Sequence, residues 1–139
     1  MTTHLQLVDD ANCFVCGQSN VYGLRLKWKT EGNRTEAEYY PSKSHQGWAG
    51  LVHGGILAAI LDEAITRLAW QNYGGAVTAE ITVRYFNPVR IGEKLIITGE
   101  IGKLKNRLIP GNAEIRNEKG HLIATASGKA LKPKNISKT

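Results

Sequence analysis

No stretch of this chain is both apolar enough and long enough to cross a bilayer, and the N-terminus has no basic segment leading into an apolar one. Both absences point to a soluble, cytoplasmic protein. Cysteine is nearly missing. Cys13 and Cys16 form one C-x-x-C, half of a structural zinc site, with no second pair and no thioredoxin-like context. They read as two partly buried thiols in a tight turn ending at Gly17, and no metal or cofactor is expected. The charge of +6, from 18 Lys plus Arg against 12 Asp plus Glu, is scattered and accompanied by no RNA- or DNA-binding motif. It favours a phosphorylated small molecule over nucleic acid as the anionic partner. Nor is there a Ser-His-Asp arrangement or a cluster of metal-ligating residues.

Glycine and proline are also missing from the run after His53-Gly54-Gly55, which is rich in Ala, Leu and Ile. Leu57, Ile60, Leu61, Ala64 and Leu68 fall on a helical stripe, and Ile56, Ala58, Ala59, Ile65 and Ala69 make much of the remaining surface apolar. The pattern predicts one long buried helix. Asp62 and Glu63 near its middle are therefore conspicuous, because ionised carboxylates are costly there unless paired or facing a wet cleft. At the helix entrance, first-turn N–H groups lack intrahelical acceptors and carry the positive end of the dipole. Gly54 and Gly55 either admit a substrate oxygen to those donors, as an oxyanion hole requires, or merely turn the chain against a sheet.

Elsewhere the chain reads as strands. Tyr22 to Trp28 alternates apolar with charged residues, and a hairpin turn leads to Thr35 to Tyr40. After the stop signal Tyr73-Gly74-Gly75, four more candidates follow: Ala76 to Asn87, Lys94 to Leu104, Leu108 to Asn117 and His121 to Lys132. Pro110-Gly111 predicts a bulge or an edge. Simple alternation from Val77 to Phe86 puts Thr78 and Glu80 on one face. Thr3 to Asp10 forms a short helix or an arm. Two strands, a helix and four strands make an α+β domain over residues 1–139, an antiparallel sheet wrapped around one helix.

These residues carry a resemblance. His53, Gly54, Gly55 and an aspartate nine residues after the histidine, Asp62, sit on an apolar helix. They resemble the hotdog-fold acyl-CoA thioesterases, specifically the phenylacetate-pathway type of the 4-hydroxybenzoyl-CoA thioesterase superfamily. The stretch Thr78 to Val89 resembles the strand after the helix in that family. The segments Cys13 to Gly17 and Gly23 to Leu26 resemble the N-terminus of one branch. The resemblance implies about six strands around one long central helix, and hydrolysis of an acyl-CoA. Asp62 would act as general base or as nucleophile, and the Gly55 N–H would polarise the carbonyl. It also implies that Thr78 matches a helper hydroxyl. His53 then either orients the loop or touches the thioester; as a satisfied core histidine it would be unremarkable.

His45, Gln46 and Trp48 precede the helix and are candidate substrate contacts, with Gly54, Glu63, Arg84 and Arg90. Glu63 is the rival to Asp62 but should point elsewhere, since adjacent helical residues are about 100° apart. A non-catalytic acyl-CoA binder is the alternative reading. Asp62 lies seven residues beyond Gly55, so at about 1.5 Å per residue the two are roughly 10 Å apart along the axis. One helix would not supply both to one carbonyl, whereas an antiparallel helix from a second copy would. The resemblance agrees, implying a homodimer or a dimer of dimers with the site at the dimer interface.

Overall fold

The computed structural model describes residues 6–134 and 137–138. Its centre is α1, Gly54–Tyr73, which buries Leu57, Ile60, Leu61, Ala64, Ile65, Leu68 and Ala69. That i, i+3, i+4 series is one wide stripe facing the sheet. Its five large side chains together gain on the order of 10 kcal/mol of gross burial energy, before the entropy of ordering is subtracted. The helix stops where the sequence predicts: Gly74 adopts a left-handed φ of 84° and its N–H bonds the Trp70 carbonyl.

The sheet holds β2 (Lys29–Glu31), β3 (Arg34–Tyr39), β4 (Val77–Tyr85), β5 (Leu95–Ile101), β6 (Leu108–Asn117) and β7 (Leu122–Leu131). Their order is β2-β3-β5-β6-β7-β4, antiparallel throughout, and α1 lies against β3 to β7. This is the expected hotdog architecture. Two glycines let the helix sit close: a Cβ on Gly111 of β6 would lie 2.5 Å from Ile65 Cγ2, and one on Gly99 of β5 would lie 3.0 Å from the Ala64 Cβ. A separate parallel pair joins β1 (Gln6–Leu7) to β8 (Ser137–Lys138).

Several expectations need correction. Tyr22 to Trp28 is not a strand; β2 begins only at Lys29. Arg25 has φ 54°, which breaks an extended run, and the N–H groups of Leu24 and Leu26 bond the carbonyls of Phe14 and Val15. The alternation reflected real burial, with Leu26 inside and Arg25 and Lys27 outside, but the partner backbone is the cysteine turn. The expected N-terminal helix or arm is an arm from Gln6 onward, and its first residues lie outside the described ones. Pro110 makes no bulge. It stands just past the last β5–β6 pair, Ile101 with Gly111, where its missing N–H has no strand partner to disappoint. The β4 bulge falls instead between Thr78 and Glu80, so these two do not share a face.

Gly111→Ala should destabilise the protein by about 1–3 kcal/mol through overpacking against Ile65, lowering Tm without changing the fold. An unchanged Tm would mean that α1 can lift from β6 at no cost.

Candidate active site

The loop into α1 is pinned before the helix begins. Gln46 bridges to Val52 and Leu51 bridges to Arg90. The Val52 N–H bonds the Val89 carbonyl, and the His53 N–H bonds the His45 carbonyl at 2.9 Å. His53 is the N-cap, and its ring Nδ1 accepts the Gly55 N–H at 2.8 Å. An accepting Nδ1 leaves the neutral ring's proton on Nε2. The expected oxyanion donor is thus held by the neighbouring histidine, and both residues are exposed. The Tyr85 hydroxyl donates to the Gly54 carbonyl at 2.8 Å, tying β4 to the helix entrance.

Two turns along α1, the Thr78 hydroxyl donates to Asp62 Oδ1 at 2.6 Å. The β4 bulge makes this contact. Thr78 pairs with Ala130, whose face is buried, while Glu80 pairs with Lys129 on the other side of the sheet. Without the extra residue at Ala79, Thr78 would face away from the helix. With Thr78 on Oδ1, the second carboxylate oxygen is left for a water or a carbonyl carbon. Asp62 is half-buried, Thr78 is exposed, and β4 is an outer strand of the sheet, paired among the described residues only with β7.

Glu63 points away from this pair, as its position on the helix predicts. Its carboxylate receives Cys16 Sγ at 3.1 Å and Cys13 Sγ at 3.7 Å. Burial, with the Glu63 charge added, pushes the Cys16 thiol well above its ordinary range. A neutral thiol is a poor nucleophile, so Cys16 offers no rival chemistry of that kind.

The remaining candidates divide. His45 is a brace: Nδ1 meets the Tyr39 hydroxyl at 2.7 Å and the Ser42 hydroxyl at 3.2 Å. Gln46 Oε1 accepts the Gly50 N–H at 3.1 Å, closing the loop on itself. Trp48 is 84% exposed within that loop. Arg90 is exposed at the loop's bridge to Leu51, whereas Arg84 lines a shallow cleft on the outer face of the sheet with Thr82 and Thr98, away from the helix. Tyr85 was missed by the sequence reading, which placed it only in the alternation of its strand. A tyrosine at the end of the strand whose start carries Thr78 is the one signal available.

Burial pushes the His45 imidazole below its ordinary pKa of 6.5. Between the lowered folded value and about 6.5, the unfolded chain holds the extra proton, so stability should fall as pH drops through that window and level off below it. Tm measured from about pH 7 to about pH 5 should show this slope, and His45→Gln should flatten it. An unchanged slope in the variant would assign the effect to another group.

Residues 49–124, more than half of the chain, match the family profile described as the thioesterase superfamily. The chain belongs to the thioesterase superfamily. Among curated members it is similar to acyl-coenzyme A thioesterase THEM4 of Xenopus laevis, 30% identical over 87 residues, covering 63% of this chain and 39% of that one. The chain thus spans well under half of that relative. Among solved structures, the PaaI protein of E. coli, from the phenylacetic acid degradation operon, superposes with a TM-score of 0.74 at 18% identity, over 82% of this chain and 84% of that one. A thioesterase protein of Streptococcus pneumoniae with coenzyme A gives 0.70 at 19% identity, over 76% and 84% of the two chains. At these identities the likeness is one of fold alone. The streptococcal protein has also been solved with an aspartate and, sixteen positions later, a threonine each replaced by alanine.

Proposed function

We propose that this chain hydrolyses an acyl-CoA to the free acid and CoA, with Asp62 as the reacting carboxylate and Thr78 as its orienting partner. The observation that carries this reading is the 2.6 Å hydrogen bond from Thr78 to Asp62 on a face open to solvent. Asp62 and Thr78 are sixteen residues apart, the same separation as the two replaced residues of the streptococcal protein. In one route Asp62 takes a proton from water, and the hydroxide adds to the thioester carbon. In the other the carboxylate adds directly, and water then cleaves the mixed anhydride. Both end with the C–S bond broken and the CoA thiolate taking up a proton.

The oxyanion would be met at the entrance of α1. An incoming carbonyl oxygen competes with His53 Nδ1 for the Gly55 N–H; once the ring turns aside, that N–H and the ring's Nε2–H are two donors for one oxygen. These donors and Asp62 of the same helix are roughly 10 Å apart. We therefore assign the site to a homodimer, or to dimers paired into tetramers, with His53 and Gly55 of one copy facing Asp62 and Thr78 of the other. Arg90, bridged to the entrance loop at Leu51, would then meet CoA phosphates, and Gly54, Gln46 and Trp48 would contact the substrate.

A thiol-release assay over acyl-CoAs of different chain length should detect turnover without added metal. Asp62→Asn should lower kcat about 100-fold or more, and Thr78→Val about ten-fold, with KM little changed. Near-wild-type activity in Asp62→Asn, with loss in Glu63→Gln, would overturn the choice of carboxylate. No turnover with any chain length would favour the non-catalytic binder.

Mixing subunits tests the shared site. A Cβ on Gly55 would sit 3.0 Å from the His53 ring, so Gly55→Val blocks that half directly. An Asp62→Asn chain mixed with a Gly55→Val chain should regain about one working site per heterodimer. Mixed dimers that stay inactive despite proven exchange, or an active monomer, would refute it.

A further inference from the structure

We propose that Cys13, Cys16 and Glu63 bind one zinc ion, at a site about a quarter-turn around α1 from Asp62. By sequence the C-x-x-C is only half a site. The fold adds a third donor from the helix, 47 residues beyond Cys16. One sulfur from each cysteine and one carboxylate oxygen lie within 4.8 Å of one another. Around a tetrahedral zinc with Zn–S near 2.3 Å and Zn–O near 2.0 Å, sulfur and oxygen donors are about 3.5 Å apart. Cys16 Sγ lies 3.1 Å from one Glu63 oxygen and Cys13 Sγ 3.7 Å from the other, so a small turn of the carboxylate brings one oxygen to that distance from both sulfurs.

The turn is built to hold both sulfurs on one side. The Gly17 N–H bonds the Cys13 carbonyl at 2.9 Å, and a Cβ on Gly17 would collide with the Cys13 backbone and lie 2.6 Å from the Ala11 carbonyl oxygen. Only glycine closes it this tightly.

Charge supports the same occupant. Two thiolates and a carboxylate carry three negative charges, and zinc leaves one uncompensated. Arg67 supplies the balancing charge: its guanidinium donates to Cys16 Sγ at 3.3 Å, while its buried Nε makes no hydrogen bond among the described residues. A cation donating to a ligating sulfur in this way is an outer-shell contact of a metal centre. The two-sulfur, one-oxygen set suits zinc and is too soft for magnesium or calcium. Binding releases the thiol protons to solvent.

A cleft of about 410 Å³ adjoins the cluster, lined also by Asp9, Asp10, Thr66 and Trp70. A fourth coordination position opening into it would be filled by water or by Asp9 or Asp10. The site would anchor the N-terminal arm to α1 by a metal clip.

The test is on the whole reduced chain, purified from zinc-supplemented medium without chelator. Elemental analysis should find about one zinc per chain. Cobalt(II) exchanged for zinc should give a thiolate-to-cobalt charge-transfer band in the near ultraviolet, saturating at one equivalent. Cys13→Ser and Cys16→Ser should lose that band, and Glu63→Gln should weaken zinc about ten-fold or more in chelator competition. A wild-type chain that takes up neither metal, whether it shows two free thiols or a Cys13–Cys16 disulfide, would overturn the proposal. So would a Cys16→Ser chain with an unchanged cobalt spectrum. Because the wild-type measurement decides alone, a variant that fails to fold does not rescue the idea. Thiol release from acyl-CoA, assayed separately, does not bear on it.

Discussion

Everything in this molecule depends on sealing one apolar helix against a curved antiparallel sheet. Seven α1 side chains on one stripe are buried, and Gly99 and Gly111 let the helix approach closely enough that Ala64 and Ile65 fill the space their own side chains would need. A helix held this firmly cannot roll. Its polar residues therefore leave in fixed directions, about 100° apart for neighbours. Asp62 goes to the edge strand and Glu63 to the cysteine turn, so adjacent carboxylates serve unrelated surroundings.

The helix, its glycine entrance, its glycine stop and five of the six sheet strands were legible in the sequence, because each is written in local pattern. Leu108–Asn117 matches the expected strand end to end. Tyr22 to Trp28 misled because period-two burial reports which side chains face inward, not which backbone lies alongside; two hydrogen bonds to Phe14 and Val15 produce the same alternation as a sheet neighbour. The site was legible as residue types but not as contacts. Asp62 and Thr78 were both named, yet simple alternation turns Thr78 away from the helix, and only the bulge at Ala79 reverses it. A bulge depends on the partner strand: a Cβ on Gly128 of β7 would lie 2.7 Å from the Glu80 carbonyl oxygen. No local pattern around Thr78 encodes that. The meeting of Glu63 with the C-x-x-C is likewise a product of the fold.

The same edge strand ties these features together. Near its start β4 carries Thr78, which holds Asp62, and at its end Tyr85, which holds the helix entrance, so one strand braces both places on α1. Its outer edge has no strand partner among the described residues. An unpaired strand of this length invites association, and proteins usually blunt such edges by charge, bulge or cover. Here the bulge sits at the first residues of the strand, leaving the run from Glu80 to Tyr85 regular and open. Tyr85 and Phe86 beside it remain about half exposed. Pairing β4 with a second copy of itself would be self-complementary about a two-fold axis and would satisfy the open backbone groups. It would also bring two sets of exposed half-sites to one seam. Such a contact would give the open backbone a neighbour and, on the proposed chemistry, would also supply the second helix entrance.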